Sequence, residues 1–238
     1  MMKPSQNTPE RRVIHLRIDM DIKFFYKQRS EFILYFYTNA SEPFIDIKRK
    51  IESEEEPYIP QNLCQEEPEY LTEWIEAEEA FHTVGYTCLS MLSSALHSYL
   101  KSWLKNIKNT QVNEDRFKKG WFNGYKKILN DDLGININES NADLELIESI
   151  SLARNRIQHP ESITTNYVDY SKKDVRKIRN LPFVSKNDPI EEVLKEKGLN
   201  TFFTPSIRPD SEDINKAFSD SEKLVCFLEG KFLKLQNV

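Results

Sequence analysis

Between Tyr70 and Lys108 the apolar residues Trp74, Ala77, Phe81, Val84, Cys88, Met91, Ala95, Tyr99, Trp103 and Ile107 follow one another at steps of three and four. With about 3.6 residues per turn, that spacing returns each of them to one side of a long amphipathic helix. A helix with so long an apolar side needs partners to cover it. Three later segments carry the same period. Asp115–Leu129 repeats it through Phe117, Trp121, Tyr125 and Ile128, and Asn130, Asp131, Asp132 and Gly134 end it. A further helix starts near Asn141, with Leu146, Ile150, Ala153 and Ile157 in a narrow stripe. The last, Ser211–Leu235, aligns Ile214, Phe218, Ser221, Val225, Leu228 and Phe232. The expectation is an all-α helical bundle around a long central helix, one domain over 1–238 with its core in 70–238.

Residues 1–69 read as an N-terminal extension. Ile14, Leu16, Ile18, Met20, Ile22 and Phe24 alternate with polar residues, as a strand would. Phe32–Tyr37 is continuously apolar, however, and no partner strand lies nearby, so the reading favours helix. Two stretches read as loops or insertions. They are Glu52–Pro68, acidic with three prolines, and Tyr170–Pro209, the long irregular insertion before the C-terminal helix.

Function classes narrow quickly. A net charge of −5 argues against a protein that coats nucleic acid along its whole surface, although a local basic site remains open. The 6 glycines form neither a G-x-x-x-x-G-K-[ST] nor a G-x-G-x-x-G phosphate loop. Cys64, Cys88 and Cys226 are scattered, with no C-x-x-C pair, and read as reduced thiols rather than disulfides or zinc ligands. No leader and no membrane-spanning run is apparent, which predicts a cytoplasmic protein that does not insert into a membrane.

The segment Arg154-Asn155-Arg156-Ile157-Gln158-His159 carries the chemistry. Pro160 disfavours helix at the residue before it, so His159 is expected at the helix end, where exposed carbonyls favour an imidazolium. Asn155 and His159 are four apart and share a face, so the Asn155 amide is placed to hold the imidazole. Histidine moves protons near neutral pH, and arginine stabilises an anionic phosphorus. RNA cleavage by the adjacent 2′-hydroxyl needs those two groups and no metal or cofactor. At about 100 degrees per residue, Arg154 and His159 point about 140 degrees apart, so a two-fold homodimer is expected to complete the pocket. The bland alternative is that both residues only cap the helix.

An Arg-Asn-x-x-x-His pattern at the end of a helix, with a long helix before it and a C-terminal helix after it, resembles the HEPN family (higher eukaryotes and prokaryotes nucleotide-binding). The resemblance spans roughly Tyr70 to Leu235. It implies an all-α, usually dimeric domain, often a metal-independent endoribonuclease of toxin–antitoxin or other defence systems. On that resemblance Arg154 and His159 are catalytic, Asn155 supports them, and an antitoxin protein is a partner. Some toxins of the family carry a tyrosine two residues after the histidine that a partner nucleotidyltransferase modifies. Glu161 stands there, which argues against that regulation. Inactive members exist, so the alternative is a silent module that binds RNA, a nucleotide or a protein.

Lys172, Lys173, Arg176, Lys177 and Arg179 follow the motif as a basic run, and Arg156, Lys172, Lys173, Arg176 and Lys177 are the candidate RNA-binding residues. Lys118, Lys119, Lys126 and Lys127 add positive charge; the plain alternative for all of these is a solvated face. Tyr167 and Tyr170 offer base-stacking surfaces, although packing is the commoner role of isolated aromatics. His82 and His97, fifteen apart on the long helix, cannot share a metal from one helix, and they read with His15 as fillers. Trp74, Trp103 and Trp121 fall on apolar stripes and read as packing or dimer-interface residues.

Overall fold

A computed structural model describes residues 21–61, 68–108, 114–118, 120–159, 168–178, 181–184 and 205–236. Six α-helices organise them: α1 Ile22–Glu52, α2 Leu71–Lys108, α3 Trp121–Lys127, α4 Leu144–Gln158, α5 Lys172–Lys177 and α6 Ser211–Gln236. Among the described residues the only extended pairing is an isolated antiparallel bridge between Asp169 and Ser206. The fold is all-α.

The long stripe places α2 at the centre, but the helix is apolar on more than one side. Cys88, Ala95, Tyr99 and Trp103 of the expected stripe are buried, and so is a second row, Leu89, Leu92, Leu96, Leu100 and Leu104. The rows lie about 100 degrees apart around the axis, so neighbours must cover a wide sector of the helix. Each fully buried leucine contributes roughly 1.5–3 kcal/mol relative to exposure.

The first neighbour is α1, and this changes the expectation for the N-terminus. The alternation that mimics a strand does not continue: Ile22 and Phe24 lie in the first turn of a 31-residue helix, capped by the Asp21 carboxylate, which accepts from the Phe24 N–H at 2.9 Å. Ile14 to Met20, with His15, lie outside the described residues. The helix is integral to the core rather than an appendage, because Tyr26, Ile33 and Tyr37 are buried with the α2 residues. Its contacts with α2 run in opposite directions along the two chains. Glu52 accepts from Trp74 Nε1, Lys48 pairs with Glu78, the Cys88 thiol lies against the Ile33 carbonyl, and Tyr26 packs on Tyr99. The pair is therefore an antiparallel α-hairpin.

The expected Asp115–Leu129 helix is instead broken into pieces. A 3-10 turn at Glu114–Phe117 stops at Gly120, whose φ of +103° suits glycine and few other residues. The chain then folds back so tightly that a Cβ on Gly124 would lie 2.3 Å from Phe117 Cδ1. Beyond Lys127 the helix widens into a π turn, Ile128–Asp132. The helix expected near Asn141 begins at Leu144, because Asn141 is left-handed (φ 55°) and Asp143 is the cap. The insertion before α6 is not wholly irregular, since it holds α5, while residues 185–204 lie outside the described set. Tyr86 donates to the Ile207 carbonyl at 2.6 Å, tying the end of the insertion to α2.

Between α1 and α2, Glu78 accepts from His82 Nε2 at 3.1 Å and pairs with Lys48. The bond from His82, outweighing burial and reinforced by Lys48, holds the Glu78 carboxyl at about 2 against an ordinary 4.5. A carboxyl depressed on folding stabilises the protein fully above its unfolded value and loses that contribution as the pH falls through the folded one. Discounted for solvent screening of a part-exposed carboxylate, Glu78→Gln is expected to cost about 2 kcal/mol at pH 7, and urea unfolding should show the difference shrinking steadily from pH 4.5 toward pH 2.

Candidate functional site

The motif occupies the last two turns of α4, and both ends of that helix are fixed. At its start the Asp143 carboxylate accepts from the Leu146 N–H at 2.9 Å and from Lys216 of α6 at 3.2 Å. The Asp143 N–H donates to the buried Asp220 carboxylate, also on α6. Leu146, Ile147, Ile150 and Ala153 are buried along one side. With the rotation of α4 set by this packing, Arg154, Asn155 and Arg156 fall at its half-buried flanks, and Gln158 and His159 are exposed.

His159 is the C-cap, at φ −131° and ψ 66°, and its N–H donates to the Asn155 carbonyl at 3.1 Å. The i, i+4 spacing predicts that the Asn155 side chain holds the imidazole, but its partner is Arg154. Its Oδ1 accepts from Arg154 Nη1 at 3.0 Å, so the amide orients the arginine instead. The sequence relation that matters is i to i+1 on the flank rather than i to i+4 along a face.

Arg156 has a different partner. Its Nε donates to Asp174 Oδ2 at 2.8 Å, and the Asp174 side chain is only 7% exposed. The same oxygen accepts from the Ser171 N–H at 3.1 Å and the Ser171 hydroxyl at 2.6 Å, and the Asp174 N–H donates to the Ser171 hydroxyl at 3.1 Å, closing a capping box at the start of α5. A six-residue helix is too short to persist alone. It is attached through this shared carboxylate, the part-buried Val175 and the buried Ile178. The result holds α5 against the end of α4, with Lys172, Lys173 and Arg176 exposed on it. Lys177 ends α5, and Arg179, Tyr167 and Glu161 lie outside the described residues.

Tyr170 is fully buried and its hydroxyl donates to the Pro182 carbonyl, so it packs the insertion and has no face for a base. Burial drives its hydroxyl pKa well above the usual 10. Of the other lysines, Lys118 pairs with Asp115, Lys126 lies 5.8 Å from the centroid of the Phe122 ring, and Lys127 is exposed. His82 is buried between the first two helices.

The surroundings of His97 differ from those of His82. Although exposed, its ring is stacked on Trp121 at 5.0 Å and 11°, with the edge of Tyr125 at 5.7 Å. Burial of part of the ring, with the cations Lys101 and Arg154, lowers its pKa from 6.5. Arg154, on a helix that packs against α2, thus contributes positive charge at a histidine of its own chain. The sequence carried one signal of this group, the i, i+4 spacing of His97 and Lys101; the approach of α4 is a tertiary fact.

Among the described residues no group of three or more His, Cys, Asp or Glu side chains could hold a metal ion, and no helix is long and apolar enough to cross a membrane. Comparison with known protein families, curated proteins and solved structures finds no match to this chain.

Asp174→Ala removes the acceptor of three hydrogen bonds and leaves the half-buried Arg156 without this partner. It is expected to cost about 1–3 kcal/mol locally, and amide hydrogen exchange in 168–178 should accelerate while exchange in α2 stays unchanged. Equal exchange in the variant and the parent at 168–178 would show that the ion pair does not hold α5.

Proposed function

We propose that this chain is a metal-independent endoribonuclease of the HEPN type, a toxin or defence component whose site is completed when two copies meet. The observation that supports this reading is the Arg156–Asp174 ion pair, which couples the basic helix α5 to the turn carrying Arg154 and His159. Exposed Lys172, Lys173 and Arg176 then meet backbone phosphates beside the reacting one, a contact that positions RNA without reading its sequence.

In the reaction one His159 takes the proton of a 2′-hydroxyl, whose oxygen attacks the adjacent phosphorus. The bond from phosphorus to the 5′-oxygen breaks, and the His159 of the second copy returns a proton to that leaving oxygen. Arg154, its guanidinium held by Asn155, stabilises the negative charge that builds on the five-coordinate phosphorus. The exposure of His159 suits contact with a second copy and with substrate.

Purified protein incubated with mixed RNA in EDTA is expected to cleave it. His159→Ala should slow cleavage by about 100-fold or more, and Arg154→Ala by about 100- to 1,000-fold. Equal rates for the parent and His159→Ala would overturn the reading. RNA bound but uncut would mark a silent binding module of the same family.

A further inference from the structure

Around His97 stand groups that the cleavage chemistry does not use, together with Arg154, which it does. Three elements meet there: α2 contributes His97 and, one turn on, Lys101; α3 contributes Trp121 and Tyr125; and α4 contributes Arg154. The three helices pack on one another, so the group is assembled by the core of a single chain. His97 and Trp121 form an ordered aromatic pair, because the rings are parallel within 11° and Tyr125 closes the edge of the imidazole. His97 is nevertheless exposed, so part of its ring opens to solvent. Lys101 is exposed beside it, and Arg154 is half-buried with one nitrogen held by Asn155, which leaves the rest of its fork to donate elsewhere.

Parallel rings extended by an exposed imidazole, with two fixed-sign cations next to them, match one ligand chemistry: a flat base joined to a phosphate. A planar base continues the stack, and the neighbouring phosphate takes Lys101 and the free part of the Arg154 fork. Burial and the two cations disfavour the protonated imidazole, which leaves its face suited to stacking.

We propose that His97, Lys101, Trp121 and Arg154 form a single-chain subsite for one nucleotide unit of single-stranded RNA, the base stacking on His97 over Trp121 and its phosphate held by Lys101 and Arg154. The subsite deepens the RNA reading given above and rests on it for the identity of the polymer, but it requires binding alone. It also assigns Arg154 a role within each chain, independent of a second copy.

Trp121 is a built-in reporter. The full-length protein is titrated with a short single-stranded RNA bearing 2′-O-methyl groups throughout, which cannot be cleaved through the 2′-oxygen, while tryptophan fluorescence is followed. The expected result is a saturable change that disappears in Trp121→Phe. His97→Ala is expected to weaken binding about tenfold, as is the surface charge reversal Lys101→Glu. No saturable change, or affinities unchanged by both His97→Ala and Lys101→Glu, would overturn the subsite. Unmodified RNA in EDTA forms the second arm. Binding with these sensitivities but no cleavage keeps the subsite and removes the nuclease reading, whereas cleavage with His97 and Lys101 irrelevant to affinity keeps the nuclease and removes the subsite.

Discussion

The structure depends on one constraint, that α2 is apolar over two adjacent rows and cannot be covered from a single side. Tyr26, Ile33 and Tyr37 of α1 bury part of it, and α4 and α6 pack elsewhere along it. The same requirement positions the chemistry. Covering α2 brings α4 down on its inner residues Leu146, Ile147, Ile150 and Ala153, and this leaves Arg154 half-buried at the flank of α4. Capping by Asp143 and its attachment to Lys216 and Asp220 stop α4 from sliding or turning on that surface. A functional side chain placed by core packing in this way keeps its orientation without bound ligand.

Electrostatics complete what packing begins. The motif residue Arg156 joins two elements by an ion pair, and its carboxylate partner Asp174 also caps α5. That shared carboxylate, with the packing of Val175 and Ile178, holds a six-residue helix with three exposed cations that is too short to hold itself. The overall charge of −5 then coexists with a local basic surface.

Much of the helical framework is legible in the sequence, because period and caps are local properties. The bounds of α2 and α6 follow from their stripes, and the end of α4 from Pro160. The N-terminal helix is harder to read for a physical reason. Its buried residues Tyr26, Ile33 and Tyr37 have helical spacing, but Phe24, Phe25, Phe32 and Tyr35 stand exposed on the other side and blur the period. The break at Gly120 is hidden because Phe117, Trp121 and Tyr125 keep the right spacing across it, and only the close approach of Gly124 to Phe117 demands the fold-back. At the site, helical spacing placed Arg154 and His159 apart but could not say which neighbour each would meet. Asn155 turned to Arg154, Arg156 to Asp174, and His97 came in from a helix some sixty residues earlier.

The central claim is that the end of α4, α5 and the facing part of α2 form one RNA-facing surface. Hydrogen–deuterium exchange of the full chain with and without uncleavable single-stranded RNA tests it most directly. The account predicts slower exchange confined to 152–159, 168–178 and the stretch of α2 around His97, with the α1 side of α2 unchanged. Protection on α1 or α6 instead, or no protection at RNA concentrations that saturate binding, would contradict it.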